Sequence, residues 1–267
     1  MLVLDQTLSS HYLKYNLDCS RIPDMKVIIT SQEELMHLKN KEYVTDLTIE
    51  GDIKLYPWLN WYTRVKKLWI SNNRVEQELD NIILHHCNMF DCEYNNFIGS
   101  LPKLPNCTEL YCSFNRLTSL SDLPNCITLH CHDNKLTVIS NLPNCNVLHC
   151  HNNKLTSISE LPKCNVLYCS HNSLITLPEL PNCRELYCCH NSIKELPNLQ
   201  YCTILHCNNN GLTYLPDLLN CVELQCSYNK LTCLPYLPNC IELHCSCNGL
   251  MGKIVRPINC SIFACRN

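Results

Sequence analysis

The sequence is poor in the features that mark several common functional classes. It has no excess of positive charge: 21 lysines and arginines stand against 24 aspartates and glutamates, a formal charge of −3. From Asn81 onward both signs thin out and no basic stripe forms. Nucleic-acid binding needs such a stripe to neutralise phosphates, so that class is set aside. No apolar run approaches the roughly 18 residues that cross a bilayer, which argues against a spanning helix. The opening MLVLDQTLSSHYLKY carries an acid at its fifth position and lacks the basic-then-apolar layout of a secretory leader. There is no phosphate loop, no nucleophile elbow and no HExxH, so catalysis has no recognisable anchor.

What the chain does contain is one stretch written many times over. Leu142 to Glu160 reads LPNCNVLHCHNNKLTSISE, and its grammar recurs after a first gap of 20 residues at intervals of 19. An asparagine marks the period: Asn95, Asn115, Asn134, Asn153, Asn172, Asn191, Asn210, Asn229 and Asn248. A fixed repeat of this length signals a solenoid of stacked coils. Within a unit, Leu148-His149-Cys150-His151 alternates apolar and polar, the pattern of a half-buried strand. Leu148 and Cys150 then face the stack, while His149 and His151 face solvent. Successive coils carry the chain in the same direction, so their strands pair in parallel. The asparagine follows the strand, where the backbone turns and loses its strand partners. Its amide offers two donors and an acceptor, so Asn115, Asn134, Asn153, Asn172, Asn191, Asn210 and Asn229 are expected to form a structural ladder between coils. Leu155 and Ile158 fill the far wall. Leu142-Pro143 suits an extended convex side, because proline fixes φ and donates no hydrogen bond.

This grammar resembles the leucine-rich repeat, L-x-x-L-x-L-x-x-N-x-L, with cysteine at the third apolar position. It is most similar to the short form with an LPxLP convex side, found in secreted effectors of bacterial pathogens, and to leucine-rich-repeat proteins of large amoeba-infecting DNA viruses. The resemblance covers about two-thirds of the chain. It implies a mainly-β, right-handed coil stack with a parallel concave sheet and an extended convex side. The family suggests a non-catalytic interaction module, with a role in host–pathogen contact. The expected location is cytoplasmic, in the host cell's cytoplasm if the source is viral. Residues 1–80 are expected to form a small α+β N-terminal cap with irregular first coils, and residues 81–267 the repeat array. In the cap, MKVIIT reads as a strand followed by a short helix, with Ser31 and Glu34 at capping-box spacing and Leu35 and Leu38 on its buried side. Leu47-Thr48-Ile49 and Leu68-Trp69-Ile70 read as degenerate rungs, with Asp52 and Asn73 near the asparagine position. A helical recruiting module such as an F-box is the alternative for this segment.

The 24 cysteines invite a disulfide scaffold, but their positions argue against one. Most fall on two rungs, typified by Cys145 and Cys150, where the family places leucine or valine. The expectation is a column of buried free thiols acting as small hydrophobes. Bridges between coils stay open on distance, because strands lie about 4.8 Å apart. Cys19, Cys189, Cys233 and Cys247 are off the rungs, and Cys189, at an outward strand position, is the expected reactive thiol. The last strand is expected at Phe263-Ala264-Cys265, with its covering unspecified.

Outward positions of the strands define the candidate site. One row holds Tyr111, His130, His149, Tyr168, Tyr187, His206 and His244, a composition suited to protein recognition. A protein partner, a host protein in the viral setting, is the first functional reading. The alternative is a transition-metal- or redox-responsive protein. In that reading His130, His132, His149 and His151, from HCH in two adjacent coils, form a zinc-type patch, with Asp133 the nearest acid and His171 and His190 at hand. A structural component is the third. No cofactor other than zinc is suggested. A Cys–His nucleophile fails for His130-Cys131 and His149-Cys150, because neighbours on a strand point to opposite faces. The sequons at Asn106 and Asn259 fall at core-proximal turns and are expected to stay unmodified.

Overall fold

The computed structural model describes residues 24–251 and 256–265. Cys19 and the rest of the N-terminal segment before residue 24 lie outside the described residues, as does part of the linker between Met251 and Asn259. One parallel sheet of 13 strands runs through the whole described chain. It begins with β1 (Met25–Ile29), β2 (Val44–Glu50), β3 (Lys67–Ser71) and β4 (Met89–Asp91). Three-residue strands follow at the repeat spacing, among them Glu109–Tyr111, Thr128–His130, Val147–His149 and Val166–Tyr168, ending at Ile262–Ala264. Register is held without slippage across the array: Leu148 pairs with Leu129 on one side and Leu167 on the other. The hydrogen-bonded strand ends at His149, one residue earlier than the four-residue alternation suggests. Cys150 still points inward, and its N–H donates to the Tyr168 carbonyl at 2.8 Å. The final strand likewise starts one residue early, at Ile262.

The alternation sorts side chains as expected. Leu148 and Cys150 are fully buried and His149 is half-buried on the other face. Leu155 and Ile158 line the far wall of the core. The return side is extended chain with short parallel pairs, such as Val138–Ile139 against Ser157–Ile158. The N-terminal helix α1 (Gln32–His37) carries the capping box: the Ser31 hydroxyl accepts from the Glu34 N–H, and the Glu34 carboxylate accepts from the Ser31 N–H. Leu35 is fully buried and Leu38 packs against the core. Beside it Lys41 is buried, its ammonium 4.1 Å from the Trp61 ring centroid and donating to the Met36 carbonyl. The β2 and β3 strands are the two degenerate rungs, and Asn73, 1% exposed, already does the ladder's work by donating to the Ile53 carbonyl at 2.7 Å.

The asparagine ladder forms along the whole array. The Asn153 amide donates to the carbonyls of Cys131 (3.0 Å), Cys150 (3.1 Å) and His151 (3.2 Å), and its oxygen accepts the Leu136 N–H at 2.9 Å. Asn115, Asn134, Asn172, Asn191, Asn210 and Asn229 repeat the pattern. Each amide thus ties its own coil to the preceding one. A second ladder, not foreseen, is built by the asparagine of LPNC, a motif that reads LLNC at Asn220. Asn125, Asn144, Asn182, Asn220 and Asn239 each donate to a carbonyl of the preceding coil at 2.7–2.9 Å. The sequons belong to it, since Asn106 donates to the His85 carbonyl and Asn259 to that of Pro238. The fixed LPN spacing was the available signal.

The two cysteine rungs differ in a way that composition hides. Thiols of the LPNC rung donate to the carbonyl two residues on, as Cys145 does to Val147 at 3.3 Å and Cys107 to Glu109 at 3.1 Å. Thiols of the strand rung, including Cys131, Cys150 and Cys169, are fully buried, and burial pushes them well above their ordinary pKa. The free-thiol expectation needs one correction. Cys245 and Cys265 are bonded across the last two coils, with Cα atoms 4.6 Å apart, because parallel in-register strands bring equivalent cysteines within bridging range. The remaining described cysteines are free.

Candidate functional site

The outward faces of the short strands form three rows. The middle row stacks into a nearly continuous column of rings. Centroid separations are 5.0 Å for Tyr111–His130, 4.2 Å for His130–His149, 4.4 Å for His149–Tyr168, 4.1 Å for Tyr168–Tyr187 and 4.6 Å for Tyr187–His206. The cause is the fold itself: in-register parallel strands set equivalent side chains at one strand spacing, close to aromatic stacking distance. His244 lies beyond Gln225 and is apart from this column; its Nε2 meets the Glu242 carboxylate at 3.0 Å. Burial among these rings lowers the pKa of His130 and drives that of His149 down to about 4, with neighbouring imidazoles adding to the effect. Both shifts favour the neutral imidazole.

Carboxylates border the rings. Asp91, Glu109, Glu185, Glu223 and Glu242 occupy outward strand positions and Glu93 follows β4, whereas no lysine or arginine holds an outward strand position between β4 and the strand Glu242–His244. Glu109 accepts from the Tyr111 hydroxyl at 3.2 Å, and Glu223 lies 2.5 Å from His206 Nε2. Burial raises the pKa of Asp91, with the nearby Glu93 carboxylate acting in the same direction. Carboxylates gathered on one face without cations give a negative surface.

The histidine patch divides. His130 stacks on His149, and His132 stacks on His151 at 4.2 Å, so the four imidazoles form two parallel pairs and not one converging group. Asp133, expected only as a neighbour in sequence, has a carboxylate oxygen 2.9 Å from His132 Nδ1 and 4.0 Å from His151 Nε2. Its backbone explains the position. The residue before each ladder asparagine adopts left-handed φ, 53° at Asp133 and 55° at His171, turning the chain sharply after the strand. This creates a fourth row that the alternation rule does not describe, in which Tyr94 stacks on Phe114 and His171 on His190. His171 and His190 stack on each other and are not among the three residues gathered around Asp133.

The thiol expectation also changes. Cys189 is half-buried and its pKa is raised, chiefly by burial, while Cys233 and Cys247 are exposed. A raised pKa is the reverse of what a nucleophile paired with His171 or His190 requires. His130 and Cys131 lie on opposite faces, which disposes of the neighbouring Cys–His pairs. Among the described residues no helix is long and apolar enough to cross a membrane.

Comparisons with known proteins agree with this geometry. No family model matches the sequence, and no curated protein matches it significantly. Solved structures do. The functional domain of InlJ from Listeria monocytogenes, which includes a cysteine ladder, aligns with a TM-score of 0.66 and 25% identity, over 85% of this chain and 54% of that one. YopM from Yersinia enterocolitica aligns at 0.62 and 26%, over 84% and 60%. The leucine-rich effector YopM from Yersinia pestis aligns at 0.56 and 22%, over 85% and 78%. The chain therefore spans just over half of the InlJ domain and larger shares of the two YopM chains. The fold is typical of protein–protein interaction modules, and relatives that share it are generally non-catalytic binding domains. With its coils of about 19 residues, asparagine ladder and parallel inner sheet, this chain is a leucine-rich-repeat protein, structurally similar to the bacterial proteins YopM and InlJ.

Proposed function

We propose that the outward face of the sheet binds a protein partner without catalysing a reaction, and that the contacting segment of the partner carries lysine or arginine. The observation that carries this reading is the ring column from Tyr111 to His206, bordered by carboxylates with no lysine or arginine at the outward strand positions between them. Stacked rings are rigid, so little side-chain entropy is lost on binding, and they offer flat apolar surface with polar tips. Guanidinium groups lie well over such rings and pair with carboxylates at the same time. Tyr168 and Tyr187, at the centre of the column, are the expected anchors, with Tyr111, His130, His149, His206 and His244 around them.

The likeness to a leucine-rich effector supports a role in host–pathogen contact, with a host protein as the partner. The many unbridged thiols support residence in a reducing compartment such as the cytoplasm. The test is proximity labelling in host cells followed by binding measurements with the recovered partner. Tyr168→Ala/Tyr187→Ala should weaken binding at least about tenfold, the size of a lost aromatic hot spot. Glu185→Gln/Glu223→Gln should weaken it mainly at low salt. A partner that binds both variants as it binds the wild type rules out this face.

A further inference from the structure

We propose that His132, Asp133 and His151 bind one first-row divalent cation of the zinc or cobalt type, independently of the partner-binding column. Among the described residues this is the one group in which three potential ligand atoms lie within 4.8 Å of one another. The donor set is two imidazole nitrogens and one carboxylate oxygen, a combination suited to zinc with a further position left open.

Three observations give the cluster the character of a built site. First, the carboxylate is oriented. Asn152 Nδ2 donates to Asp133 Oδ1 at 3.1 Å, which leaves Oδ2 turned to both imidazoles. Hydrogen-bonded support of a ligating carboxylate is the usual means of fixing its direction. Second, the left-handed turn that each coil makes before its ladder asparagine, φ 53° at Asp133, is what returns this carboxylate toward the two imidazoles. Third, His151 is the adjustable member: its Nδ1 is buried without a hydrogen-bond partner, and the ring is held by its stack on His132 and its approach to Asp133.

The geometry also states what must move. Metal–ligand bonds of about 2.0–2.1 Å in a tetrahedron set donors about 3.3 Å apart. The Asp133–His132 separation is already shorter, and the Asp133–His151 separation of 4.0 Å must close slightly. The His132 and His151 rings lie within 12° of parallel, so their lone pairs do not converge on a point between them. Binding therefore turns the His151 ring out of its stack, a motion that no competing hydrogen bond opposes. His130 and His149 stay outside the set. They sit two residues earlier on their strands, about 6.6 Å away along the sheet, and have no carboxylate between them.

The experiment is a titration of the full chain with Co²⁺ and then Zn²⁺, in a Cys233→Ser/Cys247→Ser background that removes the exposed thiols. Visible absorption and calorimetry report binding, and circular dichroism checks that each variant folds. Saturable one-to-one binding is expected, without thiolate-to-metal charge transfer. His132→Gln, His151→Gln and Asp133→Asn should each weaken it more than about tenfold, and His130→Gln/His149→Gln should leave it within about twofold. Zn²⁺ should also protect His132 and His151, but not His130, from imidazole acylation, a readout that the wild-type fold alone supplies. Absence of saturable binding overturns the proposal. So does equal loss in the His130→Gln/His149→Gln variant, or a Co²⁺ spectrum dominated by thiolate.

Discussion

Replacing Asn153 tests the ladder at its centre. Its removal does not strip all its partners. The Cys131 carbonyl keeps Asn134, the Cys150 carbonyl keeps Asn172, and the His151 carbonyl keeps the Asp133 N–H. The Leu136 N–H is different, since the Asn153 oxygen is its acceptor and the site is closed to solvent. Asn153→Ala therefore strands one buried donor, at about 1–3 kcal/mol, and forfeits three further bonds at roughly 0.5 kcal/mol each, because their carbonyls are still served. A loss near 3 kcal/mol is expected in urea unfolding followed by circular dichroism. Hydrogen exchange should place it at coils on either side of position 153, because each coil depends on its neighbours. Asn153→Asp is sharper. It keeps the acceptor for Leu136 but sets a carboxylate against three carbonyl oxygens at 3.0–3.2 Å. That repulsion raises the carboxyl's folded-state pKa above its unfolded value. The variant should be less stable than Asn153→Ala at pH 7 and should recover as pH falls toward 5, where protonation turns the group into a donor. An Asn153→Asp protein as stable as the wild type at pH 7 would refute the view that amide donors hold the coils together.

Further outcomes follow from the same geometry. Leu148→Asp buries an unpaired carboxylate in the stack and should cost several kcal/mol, roughly 3 or more, while His149→Asp on the outward face should cost about 1 or less; equal losses in thermal unfolding would contradict the facing of the strand. Cys150→Ser places a hydroxyl without a partner at a fully buried position and should cost about 1–3 kcal/mol, whereas in Cys145→Ser the hydroxyl inherits the bond to the Val147 carbonyl and the loss should be smaller in the same denaturation assay. In native protein at pH 8, a thiol reagent monitored by mass spectrometry should modify exposed Cys233 and Cys247 first, half-buried Cys189 slowly, and Cys131, Cys150 and Cys169 only on unfolding. Early modification of Cys150 would mean that the strand rung is open to water.

The sequence alone determined the period, the parallel pairing and the inward or outward sense of nearly every strand residue. A 19-residue repeat with two-residue alternation admits few backbones, and the asparagine that follows each strand has few backbone groups within reach of its amide. The capping box at Ser31 and Glu34 was equally legible, because both partners lie within one helical turn. Tertiary structure decided what depends on the distance between coils and on backbone turns outside the alternation. The left-handed residue before each ladder asparagine carries no consistent residue type, being tyrosine, phenylalanine, aspartate, asparagine, histidine or cysteine. Nothing in the spelling therefore announced that Asp133 would swing back to His132 and His151. The division of four histidines into two stacked pairs, the thiol bonds of the LPNC rung and the Cys245–Cys265 bridge arise in the same way. Each is set by separations of a few ångströms between equivalent residues in neighbouring coils, which the repeat brings together but does not specify.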